Sequence, residues 1–192
     1  MNQEQERELV ESAKSNNEAF GRLYDENYQK IFGYVLVRTA NLVIAQDITS
    51  EVFLKALKNI THFKWTGVPF TAWLCRIANN EIANHFRQNG HGMVLAEKIG
   101  ESITLEVPAP DAEMNDADEK LRNYERFLDV QQRIAQLPVK YQEVLALRFF
   151  QQLQLNEIAS ILGVHEETVK TRLYRGLERL KKMMIADSAS IV

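Results

Sequence analysis

Apolar residues recur at three- and four-residue spacing along most of the chain, and strand-like alternation is absent from the segment interiors. The four prolines, Pro69, Pro108, Pro110 and Pro138, all fall at breaks in that pattern. The periodicity predicts helices over about Glu4–Lys14, Glu18–Arg38, Val43–Asn59 and Phe70–Arg87 in the first half. In the second half it predicts Lys120–Gln136, Val139–Phe150 and two shorter elements after Gln154. In the second helix Phe20, Leu23, Tyr24, Tyr28, Ile31 and Val35 read as the buried side; in the third, Ile44, Ile48, Val52 and Ala56 form the buried ridge.

Between the halves the pattern fails. Residues 90–120 carry Gly90, Gly92, Gly100, Pro108 and Pro110 and an acidic run from Asp111 to Glu119, a composition that favours an extended or disordered linker. The expected fold is therefore all-α: two small helical domains, 1–90 and 126–192, joined by a flexible acidic linker, 91–125.

The clearest local signal follows Gln154. Leu155, Ile158, Ala159 and Leu162 lie on one helical face, Gly163 stands where a helix ends in the left-handed conformation, and Val169, Leu173, Leu177 and Leu180 make a second apolar stripe. Two such helices meeting at a glycine-centred corner read as a helix-turn-helix, whose second helix enters a DNA major groove. Lys170, Arg172, Arg175, Arg179, Lys181 and Lys182 lie off the stripe, where cations can neutralise phosphates and release counterions.

Charge supports the division. The chain has 192 residues and net charge −3, but residues 1–90 are neutral, 91–125 carry net −6 and 126–192 net +3. A modest overall acidity thus leaves local positive charge for DNA. No apolar run approaches the roughly 20 residues of a membrane span, and Met1–Glu6 is polar and acidic, unlike a secretory signal. A single cysteine, Cys75, excludes an internal disulfide, and the histidines His62, His85, His91 and His165 lack metal-ligand spacing. A cytoplasmic protein with no metal and no cofactor is expected.

Two segments of the first half carry further candidates. Asp47, Glu51 and Lys55 form an i+4 row beside the buried ridge, a solvated face or a docking face. Phe63, Lys64, Trp65, Phe70 and Trp73 surround a Gly/Pro loop that enters a helix bearing Arg76, Asn79, Asn80, Asn84 and Arg87. Aromatics beside cations can hold unstacked bases. Asn80 and Asn84 share a face that could bond bases, with Arg76 and Arg87 for the backbone.

Together these residues resemble bacterial RNA polymerase sigma factors of the extracytoplasmic-function (ECF) group. Gln46–Ala56 resembles the family's helix that grips the clamp coiled coil of RNA polymerase, Phe70–Asn80 its segment that opens and reads the minus-10 element, and Leu137–Lys182 its minus-35-binding domain. The resemblance implies polymerase contacts at Asp47, Glu51 and Lys55. It implies minus-10 contacts at Phe63, Lys64, Trp65, Arg76, Asn80, Asn84 and Arg87, with Asn80 capturing a flipped base and Phe63–Pro69 walling its pocket. It implies minus-35 contacts at His165, Glu166, Glu167, Thr168, Lys170, Thr171, Arg172 and Arg175. Core RNA polymerase, promoter DNA and an anti-sigma factor are the implied partners. The sequence departs from the family at Gln154 and His165, where serine is usual as a helix cap.

The other readings are a stand-alone helix-turn-helix regulator with a helical sensor domain, which leaves Trp65–Asn84 without a role, and an enzyme. No Ser-His-Asp order, phosphate-cradling glycine loop or paired-carboxylate site stands out, so no catalytic residue is expected.

Overall fold

The computed structural model describes residues 2–65, 67–88 and 117–189. All regular structure among them is helical: α1 (Gln3–Ala13), α2 (Asn17–Thr39), α3 (Leu42–Asn59), α4 (Phe70–Gln88), α5 (Ala117–Gln136), α6 (Val139–Leu145), α7 (Leu155–Leu162) and α8 (Glu166–Ala189). A single 3₁₀ turn, Ile60–His62, follows α3. Of the linker expected at 91–125, residues 91–116 lie outside the described residues, and 117–125 already belong to α5. The helix expected at Val139–Phe150 is α6 followed by a wider π-helical turn, Ala146–Phe150.

Asparagines set three of the helix starts. The Asn2, Asn16 and Asn41 side chains accept the backbone N–H groups of Gln5, Glu18 and Ile44, at 2.9, 2.9 and 3.0 Å. Each satisfies a donor that the first turn leaves unpaired. The first turn of α4 is met from a different helix: Phe70 N–H donates to the Glu6 carboxylate of α1 at 3.0 Å.

α2 is the central element, packed against α1, α3, α4 and α5. Leu23, Ile31, Tyr34 and Val35 are fully buried, and so are Ala45, Val52 and Ala56 of α3 and Phe70, Leu74 and Ala78 of α4. The C-terminal half of α2 is buried nearly all round, including Phe32, Val37 and Thr39. Tyr24, expected inside, is 38% exposed; its ring instead packs edge-on to Phe53, 4.7 Å between centroids.

The second core gathers Leu137, Tyr141, Val144, Leu145 and Leu147 with Ile158, Ile161 and Val169. Here the stripe expected on α8 is corrected at one position: Leu177 is 41% exposed, and Gly176 is buried in its place. A Cβ on Gly176 would stand 3.2 Å from a Leu145 methyl and 3.4 Å from Tyr141 Cβ. The absent side chain lets α8 close onto α6.

The two cores meet along a polar seam. Arg38 of α2, 3% exposed, donates to Tyr34 Oη (3.0 Å) and Asn79 Oδ1 (2.6 Å) on its own side and to Gln142 Oε1 (3.3 Å) across it. The Glu143 carboxylate lies 3.8 Å away. Gln131 and Gln151 donate across the same seam to the Leu36 and Lys30 carbonyls, at 2.9 and 2.7 Å. A buried guanidinium is tolerated because its donors are met on both sides.

Candidate nucleic-acid and polymerase interface

The i+4 row on α3 divides. Asp47 is exposed and has no ion-pair partner among the described residues. Lys55 is drawn toward α4: its ammonium sits 2.6 Å from Glu81 and 3.5 Å from Glu51. The Glu81 hydrogen bond holds the Lys55 ammonium above the ordinary lysine value. The row therefore offers a net negative surface at Asp47 and Glu51, with Leu54 and Leu57 exposed on the same helix.

Beside it the 3₁₀ turn and α4 enclose a cavity of about 370 Å³, lined by Lys55, Asn59, His62, Phe63, Trp73, Ile77, Asn80 and Glu81. Phe63 and Trp73 wall it, 4.9 Å between ring centroids, and Phe70 backs both. Among the described residues of the expected wall Phe63–Pro69, Phe63 alone faces this cavity. Lys64, Val68 and Pro69 line the adjoining groove with Trp73 and Arg76, and Trp65 meets Phe63 edge-on at 6.5 Å.

The α4 asparagines separate by partner. Asn79 is committed to the seam through Tyr34 and Arg38. Asn84 accepts from Arg87 at 2.8 Å, so these two are engaged with each other on the surface. Asn80 is exposed, and its amide has no hydrogen-bond partner among the described residues. Of the three it alone pairs a free donor and acceptor with an aromatic-walled cavity.

The helix-turn-helix forms as the pattern predicts. Gly163 closes α7 with φ +64°, and Val164 packs into the corner. The missing serine at Gln154 is offset by Glu157, whose carboxylate accepts the Gln154 N–H at 2.6 Å. At the start of α8, His165, Glu166 and Glu167 are exposed and Thr168 half-buried. Lys170 is not a free cation: Glu166 and Glu167 hold it at 3.4 and 2.7 Å. Thr171 donates to the Glu167 carbonyl at 2.9 Å. Arg172 and Arg175 line a groove of about 360 Å³ with Thr168, Thr171, Lys140 and Tyr141.

Glu81, Asn59 and His62 in the first cavity, and Lys140 and Tyr141 in the second, were not singled out by sequence. Pro138 marks a helix start just before Lys140, but no pattern tells which neighbour that helix meets. The two halves also meet here: Ser160 and Ile161 of α7 close one side of the groove that holds Lys64 and Arg76. Among the described residues no helix is long and apolar enough to cross a membrane.

Two family comparisons bear on this arrangement. Sigma-70 region 2 matches residues 23–91, and sigma-70 region 4 matches residues 127–180. The ECF RNA polymerase sigma factor BldN of Streptomyces coelicolor is 34% identical over 184 residues, covering 94% of this chain and 66% of that protein. The ECF RNA polymerase sigma factor SigW of Bacillus subtilis is 34% identical over 175 residues, covering 89% of this chain and 91% of SigW. In fold, the chain is similar to CnrH in its complex with the cytosolic domain of CnrY, at TM-score 0.69 and 20% identity over 95% of this chain and 98% of that one. Matches to both regions leave the stand-alone regulator without support. The chain belongs to the ECF group of RNA polymerase sigma factors, which bind core polymerase and direct promoter recognition, strand opening and transcription initiation.

Proposed function

We propose that residues 1–90 dock on core polymerase and capture an unpaired minus-10 base, while residues 126–192 read the minus-35 duplex. The observation that carries the first half is the unpartnered Asn80 amide beside the Phe63–Trp73 wall. Flipping a base costs a few kcal/mol, and an aromatic wall with a polar edge is what compensates it. Asp47 and Glu51 supply the docking charge, and Lys55 supports them from its bridge to Glu81. Phe63, Lys64, Trp65, Arg76, Asn84 and Arg87 serve the minus-10 strand. His165, Glu166, Glu167, Thr168, Lys170, Thr171, Arg172 and Arg175 face the minus-35 groove.

The two elements lie about 25 base pairs apart, roughly 85 Å at 3.4 Å per step. The seam at Arg38 therefore opens when both are bound. The protein acts in the cytoplasm, without catalytic residues, cofactor or metal. An anti-sigma factor is its proposed regulator; solved RpoE of Bartonella quintana, 19% identical at TM-score 0.66, is in complex with the anti-sigma factor NepR.

The test is transcription from promoter DNA by core polymerase with and without the protein, with permanganate mapping of unpaired thymines. Promoter-dependent transcripts and opening at the minus-10 element are expected. Opening that proceeds equally with Asn80→Ala contradicts the capture site.

A further inference from the structure

Glu81 follows Asn80 directly on α4 and lines the same cavity, against the Phe63–Trp73 wall. Its side chain is 13% exposed, and Oε2 accepts from the Lys55 ammonium at 2.6 Å. Oε1 has no hydrogen-bond partner among the described residues. An ionised carboxylate accepts about four hydrogen bonds, so most of this capacity is left over. Charge alone would set a carboxylate against a DNA strand. Lys55 cancels that charge while leaving Oε1 to accept.

Other polar groups around the cavity are turned elsewhere. Asn59 gives an amide N–H to the Lys55 carbonyl at 2.8 Å, and His62 Nδ1 lies 3.3 Å from the Thr61 hydroxyl. The cavity thus presents an amide that donates and accepts beside a group that only accepts. The four bases differ in what they offer such a pair. Cytosine and adenine set an exocyclic amine next to a ring nitrogen: the amine donates to a carboxylate and the nitrogen accepts from an amide. Guanine sets its amine next to a ring N–H, so both donate to one carboxylate, while O6 accepts from the amide. Thymine has no amine, and its N–H lies between two carbonyl oxygens that a carboxylate repels.

We propose that Glu81 is a specificity-determining residue of the capture site: it accepts from the exocyclic amine of the captured base, so that the cavity takes cytosine, adenine or guanine and rejects thymine. Lys55 is the positioning residue that holds its carboxylate. The proposal rests on the reading of this cavity as the base-capture site.

Core polymerase carrying the full chain is offered single-stranded DNA randomised over the minus-10 segment, and the retained strands are sequenced. The position that loses its base preference in Asn80→Ala is the captured base. There wild type should deplete thymine about tenfold. Glu81→Gln, whose amide donates as well as accepts, should restore thymine at that position alone. Depletion that persists in Glu81→Gln overturns the proposal and leaves the capture site standing, as does a wild-type preference for thymine there. If no position responds to Asn80→Ala, the capture reading fails and the proposal with it. A second measurement needs no variant. The preferred base at that position is exchanged for an analogue without the amine, uracil for cytosine or hypoxanthine for adenine or guanine. Retention by the wild-type complex should fall about tenfold. Equal retention of the two strands overturns the proposal.

Discussion

Arg38 of α2 and Glu143 of α6 face each other at 3.8 Å across the boundary between the two halves, with the arginine 3% exposed. The pair makes the seam polar at its centre, so its groups can be rehydrated when the halves part. Arg38→Ala removes hydrogen bonds to Tyr34, Asn79 and Gln142 and leaves their buried atoms short of a donor. It should lower stability by about 3 kcal/mol, whereas Glu143→Gln should cost about 1 kcal/mol because its side chain reaches water. Thermal unfolding of the full chain checks the order; equal losses contradict it.

Adjacent asparagines on α4 should behave oppositely. Asn79→Ala breaks the Tyr34 and Arg38 bonds and should cost about 1–3 kcal/mol in unfolding. Asn80→Ala should stay within about 0.5 kcal/mol of wild type, since its amide is exposed. It should weaken single-stranded minus-10 binding by the polymerase complex about tenfold, the effect of one base hydrogen bond.

Glu6 gives a pH signature. Partial burial raises its carboxyl above the ordinary value of 4.5, against the lowering effect of the Phe70 N–H it accepts. A raised folded-state value means that the folded chain holds the proton more tightly. Its stabilising contribution is therefore present below pH 4.5 and is lost as pH rises through the folded-state value. Glu6→Gln keeps an acceptor for Phe70 without the buried charge. The variant should match wild type in melting temperature near pH 4 and exceed it at pH 7. A variant that melts lower than wild type at pH 7 contradicts the assignment.

Gly176 tests the packing between α6 and α8. Gly176→Val places branched carbons where Leu145 and Tyr141 already stand at contact distance. Overpacking should cost about 1–3 kcal/mol, read as a lower unfolding midpoint. An unchanged midpoint means that α6 and α8 have slack at this crossing.

Much of this was legible from the chain because local chemistry decided it. The Asn16 and Gly163 boundaries follow from capping and left-handed backbone, which depend on few neighbours. The sequence missed features set by distant partners. Leu177 fits the apolar stripe as well as Gly176 does, and only the close approach of α6 chooses the glycine. Lys55 reads as one member of a solvated or docking row with Asp47 and Glu51 until Glu81, 26 positions away, is placed beside it. Asn80 stood out in the sequence, but the role of Asn79 at the seam depends on Tyr34 and Arg38. The seam depends on contacts such as Arg38–Gln142, separated by 104 positions, for which no periodicity gives a sign.

The most direct test of the account is size exclusion of the purified chain with bacterial core RNA polymerase, beside an Asp47→Arg/Glu51→Arg variant. Both side chains lie on α3 away from its buried ridge of Ile48, Val52 and Ala56, so the fold should survive. The account predicts that wild type co-elutes with polymerase and the variant does not, with equal melting temperatures for both proteins. Co-elution of the variant as complete as that of wild type contradicts the assignment of α3 as the docking face.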